Sequence, residues 1–338
     1  MHKSYLLTFI TILIFYSCDK NNNIYEINGF TMGTTYSIKV VADSFDNSKI
    51  KIGIDSILHN INMDMSTYID SSSISKFNKS NVNQKYYISD DFYKVLLSSQ
   101  NFSKLTDGAF DITINPLVQL WGFSNKEIDT LPTKGQVDEV LKSIGMHNLV
   151  IGDNNSISKK NEVSIDLSAI AKGYAVDKIS EYLMNLNIGN YMVEIGGEIR
   201  SGGFNVNNNK WKIGIQFPSF QQSLSKKAYT DINPHTIIHI SDISIATSGN
   251  YQNYFDFKGK RYSHIISPVT GYPVENKIVS VSVFTKECLN ADALATALMV
   301  MNVKDGINLV EELSGYEAFF ILDDNSVVSS SGINDFLH

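Results

Sequence analysis

Between residues 47 and 65 the apolar side chains Ile50, Ile54, Ile57, Leu58 and Ile61 recur three and four apart. That spacing puts them on one helical face, so 47–65 is predicted to be a helix. A second helix is expected after Ser89-Asp-Asp, where Ser89 offers an N-cap oxygen and Phe92, Val95, Leu96 and Phe102 the apolar positions. Asn115-Pro116 opens a third, Pro being tolerated in a first turn. Further helices are predicted at 133–143, from Ser168 to about Leu186, at 290–298 from its Ala and Leu content, and at 304–313. Runs rich in β-branched and aromatic residues predict strands at 36–41, 109–113, 163–167, 191–195, 211–217, 236–240, 243–247, 260–266, 278–284 and 318–322. Gly196-Gly197 and Gly202-Gly203 punctuate a hairpin, and 219–233 reads as a loose insertion. Helices and strands are interleaved with hairpins, which implies an α+β fold with mixed β-sheets and packed helices rather than a doubly wound one.

Composition narrows the class. Hydrophobic residues make up 43% and charged residues 19% of the 338, enough for a substantial core. A net charge of −7 argues against nucleic-acid binding, which calls for a basic face. The N-terminus reads as a targeting segment: His2 and Lys3, then apolar 5–16, then Ser17-Cys18 and the polar run 19–23. The apolar stretch is too short to span a bilayer with ordinary flanks. A small residue before Cys, followed by a soluble spacer, resembles a bacterial lipoprotein cleavage site, in which Cys18 becomes the lipidated first residue. A plain secretory signal and an uncleaved anchor are the alternatives. The expected organisation is a signal peptide at 1–17, a polar tether at 18–25 and a single domain at 26–338. Cys288 is the other cysteine. With Cys18 acylated there is no intramolecular disulfide, no cysteine metal site and no redox pair, and Cys288 is expected to be a small buried side chain.

Three stretches carry candidate chemistry. Asp166-Leu-Ser-Ala-Ile-Ala-Lys172-Gly-Tyr-Ala-Val-Asp177 places a carboxylate at a strand end and a lysine early in the next helix. A helix start and a point charge suit an anion; an N-cap with a solvated lysine is the bland alternative. His264, ahead of a Pro/Gly loop, suits a general base or a phosphate contact, or a purely structural histidine. Asp292 and Thr296 lie four apart and stack on one helix face. Their oxygens suit a hard cation such as Mg²⁺, or equally a helix-end acid and a back-bonded hydroxyl. Glycines near Thr31 and Met32 suggest a tight turn exposing both, and Tyr68 stands alone among polar neighbours. Neither a GxGxxG nor a P-loop pattern is present.

Taken together, these segments resemble the ApbE-type FAD:protein FMN transferases. The residues that carry the likeness are Asp166…Ala169…Lys172-Gly-Tyr-Ala-Val-Asp177, Ile195-Gly-Gly-Glu198, Ser248-Gly-Asn250, His264-Ile-Ile-Ser-Pro268, Thr270-Gly271 and Asn290-Ala-Asp292…Thr296. Met32-Gly-Thr-Thr-Tyr36, Ser66-Thr-Tyr68 and Gly108-Ala-Phe-Asp111 add to it, all in the family's order over about residues 26 to 325. The resemblance implies two interlocked lobes with FAD in the cleft between them. It implies Mg²⁺-dependent transfer of FMN through a phosphodiester to a Thr or Ser hydroxyl of a target flavoprotein, releasing AMP. Met32, Tyr68, Ala109, Phe110, Asp111, Asp166, Lys172 and Ile266 would line the FAD site. Asp292, Thr296 and the Ala169 carbonyl would bind Mg²⁺. His264 would take the acceptor proton, with Lys172 and Asp292 completing the catalytic set. Glu198 is left out, because hairpin glycines usually serve the turn. The implied partners are FAD, an acceptor redox flavoprotein and, through the lipid, the membrane, with the enzyme in the cell envelope on the periplasmic side. The same residues would serve a Mg²⁺-dependent FAD pyrophosphatase, and a flavin-binding lipoprotein without activity is the third alternative. The catalytic readings share one geometric demand: Asp292 and Thr296 must face Ala169.

Overall fold

The periodicities translate into elements with few shifts in the computed structural model, which describes residues 23–123, 130–216, 234–250 and 254–337. The signal peptide, Cys18 and the 219–233 insertion lie outside the described residues. The strands are β1 (Asn23–Thr31), β2 (Thr34–Ala42), β3 (Tyr86–Tyr87), β4 (Leu149–Gly152), β5 (Ser156–Lys159), β6 (Tyr191–Ile195), β7 (Glu198–Gly202) and β8 (Trp211–Gln216). They continue with β9 (Pro234–Ile240), β10 (Ser244–Gly249), β11 (Tyr254–Phe257), β12 (Lys260–Ser263), β13 (Ile278–Thr285), β14 (Glu317–Leu322) and β15 (Val327–Ser329). The helices are α1 (Asn47–Met65), α2 (Ser73–Asn78), α3 (Asp90–Leu105), α4 (Asn115–Leu120), α5 (Lys134–Leu141), α6 (Ala171–Asn185), α7 (Cys288–Val300) and α8 (Val303–Glu312).

An eight-stranded sheet in the order β1-β2-β6-β7-β10-β13-β14-β15 organises the molecule. The α+β reading holds. The sheet expected to be mixed is antiparallel in every described pair, because hairpins join β1 to β2 and β6 to β7, and the longer connections return antiparallel. β13 is buried along its whole length. Val281 and Val283 enter the main core beneath the helices, whereas Phe284 joins Trp211, Ile238 and Phe319 in a second cluster. A strand's alternation divides its side chains between two apolar layers in this way. A third cluster gathers Leu117, Trp121, Val137, Ile144 and Ile266 under α4 and α5.

α7 is apolar nearly all round, and it packs on α6, β10 and β13. Cys288 is fully buried, as expected. Two predicted strands are absent. Residues 163–167 are extended, but Asn78 takes the place of a partner strand: its Oδ1 accepts from the Ile165 N–H and its Nδ2 donates to the Ile165 carbonyl, at 2.8 and 2.9 Å. Residues 109–113 instead turn, because Asp107 and Gly108 take positive φ and the Asp111 side chain caps a 3₁₀ turn at Ile112–Ile114. The strand expected at 260–266 ends three residues short, at Ser263, so His264 lies just beyond it. The Ser263 hydroxyl accepts from the Ile265 N–H at 3.1 Å and bends the chain there.

Candidate active site

The first turns of α6 and α7 touch through their backbones at Gly173. A Cβ at this position would lie 2.3 Å from the Cys288 carbonyl oxygen and 2.8 Å from the Asp292 Cβ. Glycine is therefore what lets the two helices meet. Their approach brings the Gly173 N–H to 2.9 Å from Asp292 Oδ2. Lys172, the neighbouring residue, donates to Glu198 Oε1 on β7 at 2.5 Å. One turn beyond Asp292, Thr296 Oγ1 is 3.2 Å from Ser248 Oγ on β10. Lys172, Glu198, Asp292, Thr296 and Ser248 are thus linked across two helices and two sheet strands. Ala169 lies in the turn that leads into α6, and Asp292 bonds the first turn of this helix, while Thr296 meets Ser248 of β10.

The electrostatics of the cluster are unusual. Asp292 and Glu198 are each 2% exposed. Burial raises both carboxyl groups above the usual range, and Lys172 opposes that rise in each. Burial would lower Lys172, but Asp292 and Glu198 outweigh it and hold the ammonium above its ordinary value. One ammonium faces two buried carboxylates, so when both are ionised the site holds one negative charge more than it neutralises. A buried net charge of this kind is costly unless a proton or a cation joins it.

Among the described residues no group of three or more His, Cys, Asp or Glu side chains is placed to hold a metal. The expected ligands instead combine a carboxylate, a hydroxyl and a carbonyl. Among the described residues no backbone N–H donates to the Ala169 carbonyl, whereas the next carbonyl, that of Ile170, accepts from Tyr174. The Gly173 N–H that would bond Ala169 in a regular helix is turned to Asp292. One oxygen of Glu198 is also buried without a hydrogen-bond partner. Hard oxygen donors with excess negative charge fit Mg²⁺.

The residues expected around FAD fall in several places. Asp111 is largely buried; its Oδ1 accepts from the Thr113 N–H and hydroxyl at 2.8 and 2.6 Å, and burial raises its pKa against those bonds. It borders a cavity of about 400 Å³ with Gly108, His147 and Pro268. Asp166 is tied to the same segment by its N–H, which donates to the Ile112 carbonyl at 2.7 Å. Its Oδ1 accepts from Ser168 just ahead of α6. Ala109 and Phe110 are buried, and Phe110 packs edge-on against Phe102 in the core, so what they present to a ligand is backbone. Ile266 belongs to the third apolar cluster. Met32 occupies the β1–β2 turn with φ 50°, half-buried. Thr31, expected to be exposed, is instead buried, because its hydroxyl accepts from Asn62 at 3.0 Å. Tyr68 is 82% exposed after α1. His264 is half-buried with its ring edge-on to Phe123, centroids 6.4 Å apart.

Sequence reasoning left Glu198 out of the site and assigned Ser248 no role in it. The signal for Glu198 was present: a lone acid between Gly197 and Ile199, on a strand whose neighbours are buried. The glycine turn drew attention away from it.

The chain is similar to known proteins in sequence and in fold. The profile of the ApbE family matches residues 32–320. The chain is 39% identical over 313 residues to a FAD:protein FMN transferase of Vibrio cholerae serotype O1, covering 91% of each chain. It is 36% identical to the FAD:protein FMN transferase of Haemophilus influenzae, covering 93% of this chain and 91% of the relative. Among solved structures, the flavin transferase ApbE from Vibrio cholerae superposes with a TM-score of 0.82 at 38% identity, covering 94% of this chain and 100% of that one. The ApbE protein of Thermotoga maritima superposes with a TM-score of 0.83 at 30% identity, covering 94% and 100%.

Proposed function

The chain belongs to the ApbE family, and from this premise we propose that it transfers FMN from FAD to a Thr or Ser hydroxyl of a target flavoprotein, with Mg²⁺ as cofactor and AMP as the second product. The observation that carries the reading is Asp292 docked on the first turn of α6 beside Lys172, with the Ala169 carbonyl left without a backbone donor.

In the step proposed, the acceptor hydroxyl oxygen attacks the FMN phosphorus of FAD. A P–O bond forms to the acceptor, and the bond between that phosphorus and the bridging oxygen breaks. The electron pair leaves with AMP, and the acceptor proton passes to an imidazole nitrogen of His264. Lys172 brings a positive charge to the pyrophosphate, since Asp292 and Glu198 beside it hold its ammonium above the ordinary lysine value. Glu198 orients that ammonium. Asp292, Thr296 and the Ala169 carbonyl would hold Mg²⁺, which neutralises charge on the pyrophosphate oxygens when bound. Asp111 lines the cavity beside His147, and Asp166, bonded to the same segment through Ile112, stands just ahead of α6.

The test is incubation of the protein with FAD, Mg²⁺ and an acceptor flavoprotein, following AMP release and covalent fluorescence. Label on the acceptor with AMP in equal amount supports transfer. AMP and FMN without label would make the enzyme a pyrophosphatase, and FAD retention without AMP a binding protein. Anchoring through Cys18 on the periplasmic side of the cell envelope belongs to the same proposal, supported by the pattern of residues 1–23. Metabolic labelling with palmitate checks it: label that survives Cys18→Ser would rule the anchor out.

A further inference from the structure

Asp177 was part of the lysine motif, yet the chemistry above does not use it. It lies on α6, five residues beyond Lys172, and is 4% exposed. Its Oδ1 accepts from Arg200 Nη1 at 2.6 Å and from the Cys288 N–H at 3.0 Å; its Oδ2 accepts from the Leu289 N–H at 2.8 Å. Those two amides open α7, where N–H groups lack intrahelical partners. The residue at the α7 N-cap position, Glu287, makes no side-chain capping bond. The cap therefore comes from another helix. The reverse holds too: α6 has no side-chain cap of its own, and Asp292 of α7 accepts from its Gly173 N–H. Each helix caps the other.

Arg200 stands two residues from Glu198 on β7, hence on the same face of that strand. Two ties consequently join the same three elements. One is Lys172–Glu198 with Gly173–Asp292, and the other is Asp177–Arg200 with Cys288 and Leu289. A buried ion pair is weak ground for stability in itself, and its best attested use is to fix registry. Registry matters here because a one-residue slip would turn α7 by about 100° and carry Asp292 off the α6 start.

We propose that Asp177 and Arg200 are positioning residues that set α7 against α6, and so hold Asp292 and Thr296 opposite Ala169 for a divalent cation. The proposal rests on the cation assignment made under the proposed function.

The experiment measures Mn²⁺ binding at equilibrium by electron paramagnetic resonance on the full chain with FAD present. It compares the wild type with Asp177→Asn, Arg200→Lys and Ser180→Ala. Ser180 is the control: it is buried on α6, and its hydroxyl donates to its own helix at Val176 O, 2.8 Å away. Asp177→Asn is expected to weaken Mn²⁺ binding roughly 10- to 100-fold, the usual effect of removing a group that orients a metal ligand. Arg200→Lys should shift affinity in the same direction by less, and it carries the test if Asp177→Asn does not fold. Ser180→Ala should lower the melting temperature and leave Mn²⁺ affinity in place. Wild-type affinity in both Asp177→Asn and Arg200→Lys would overturn the proposal, as would an equal loss in Ser180→Ala. A wild type that binds no Mn²⁺ would instead fail the cation assignment itself, and take this proposal with it.

Discussion

Replacing Gly173 by alanine is the sharpest probe of the helix contact that builds the site. Two effects oppose each other. In an exposed helix the change would stabilise by about 1 kcal/mol through helix propensity. Here the new methyl would sit 2.3 Å from the Cys288 carbonyl oxygen and 2.7 Å from its carbon, both backbone atoms that cannot rotate away. The helices would have to part by the better part of an ångström. Overpacking of this kind costs roughly 1–3 kcal/mol, so the net destabilisation should be about 0–2 kcal/mol. The parting also lengthens the bond from Gly173 to Asp292. A misplacement near 1 Å can cost about 100-fold in rate, far more than the change in folded fraction. Urea denaturation gives the first quantity, and flavin transfer at saturating FAD and Mg²⁺ gives the second. An alanine variant at least as stable as wild type, with full transfer, would refute the contact as the basis of the site.

Other outcomes follow from individual residues. Asp292→Asn removes the buried charge but keeps the shape, so FAD binding should survive while cation binding and transfer fall together; calorimetry with Mg²⁺ separates the two, and undiminished affinity would exclude Asp292 as a ligand. His264→Gln should slow transfer by roughly 10²–10⁴-fold, the usual worth of a general base. Undiminished transfer in that variant would remove the role. Burial lifts Glu198 to about 8 from 4.5. The folded protein therefore binds that proton more tightly than the unfolded chain, and the associated stability is complete below pH 4.5 and lost as pH rises towards 8. Relative to wild type, Glu198→Gln should gain stability over that window, on the order of 1 kcal/mol or more by its upper end. Thermal melts across pH check this, and a constant difference would contradict it.

Much of the fold could be read from periodicity. α1 matches its predicted bounds of 47–65, and β6 matches 191–195, because in each one face is buried and the other is not. The readings that failed did so where side chains substitute for backbone. Residues 163–167 look like a strand, and they are satisfied by Asn78 from far along the chain. Nothing local in the sequence encodes that partner. Asp111 spends its carboxylate on a 3₁₀ turn, which a β-prone run conceals. The cluster was legible in part. Asp292 and Thr296 follow from helical spacing, and Asp292 meets the Lys172 helix as required. Glu198 became visible only when β7 was placed beside α6. Reciprocal capping by Asp177 and Asp292 depends on two helix starts more than a hundred residues apart in the chain meeting at Gly173. Spacing along one chain segment cannot reveal such a meeting.

Intact-mass measurement of an acceptor flavoprotein after reaction with FAD and Mg²⁺ separates transfer to protein from hydrolysis. The acceptor should be heavier by one FMN less one water, labelled at a Thr or Ser hydroxyl, with one AMP released per label and neither seen with Asp292→Ala. An acceptor of unchanged mass while FAD is cleaved to FMN and AMP would contradict transfer to protein.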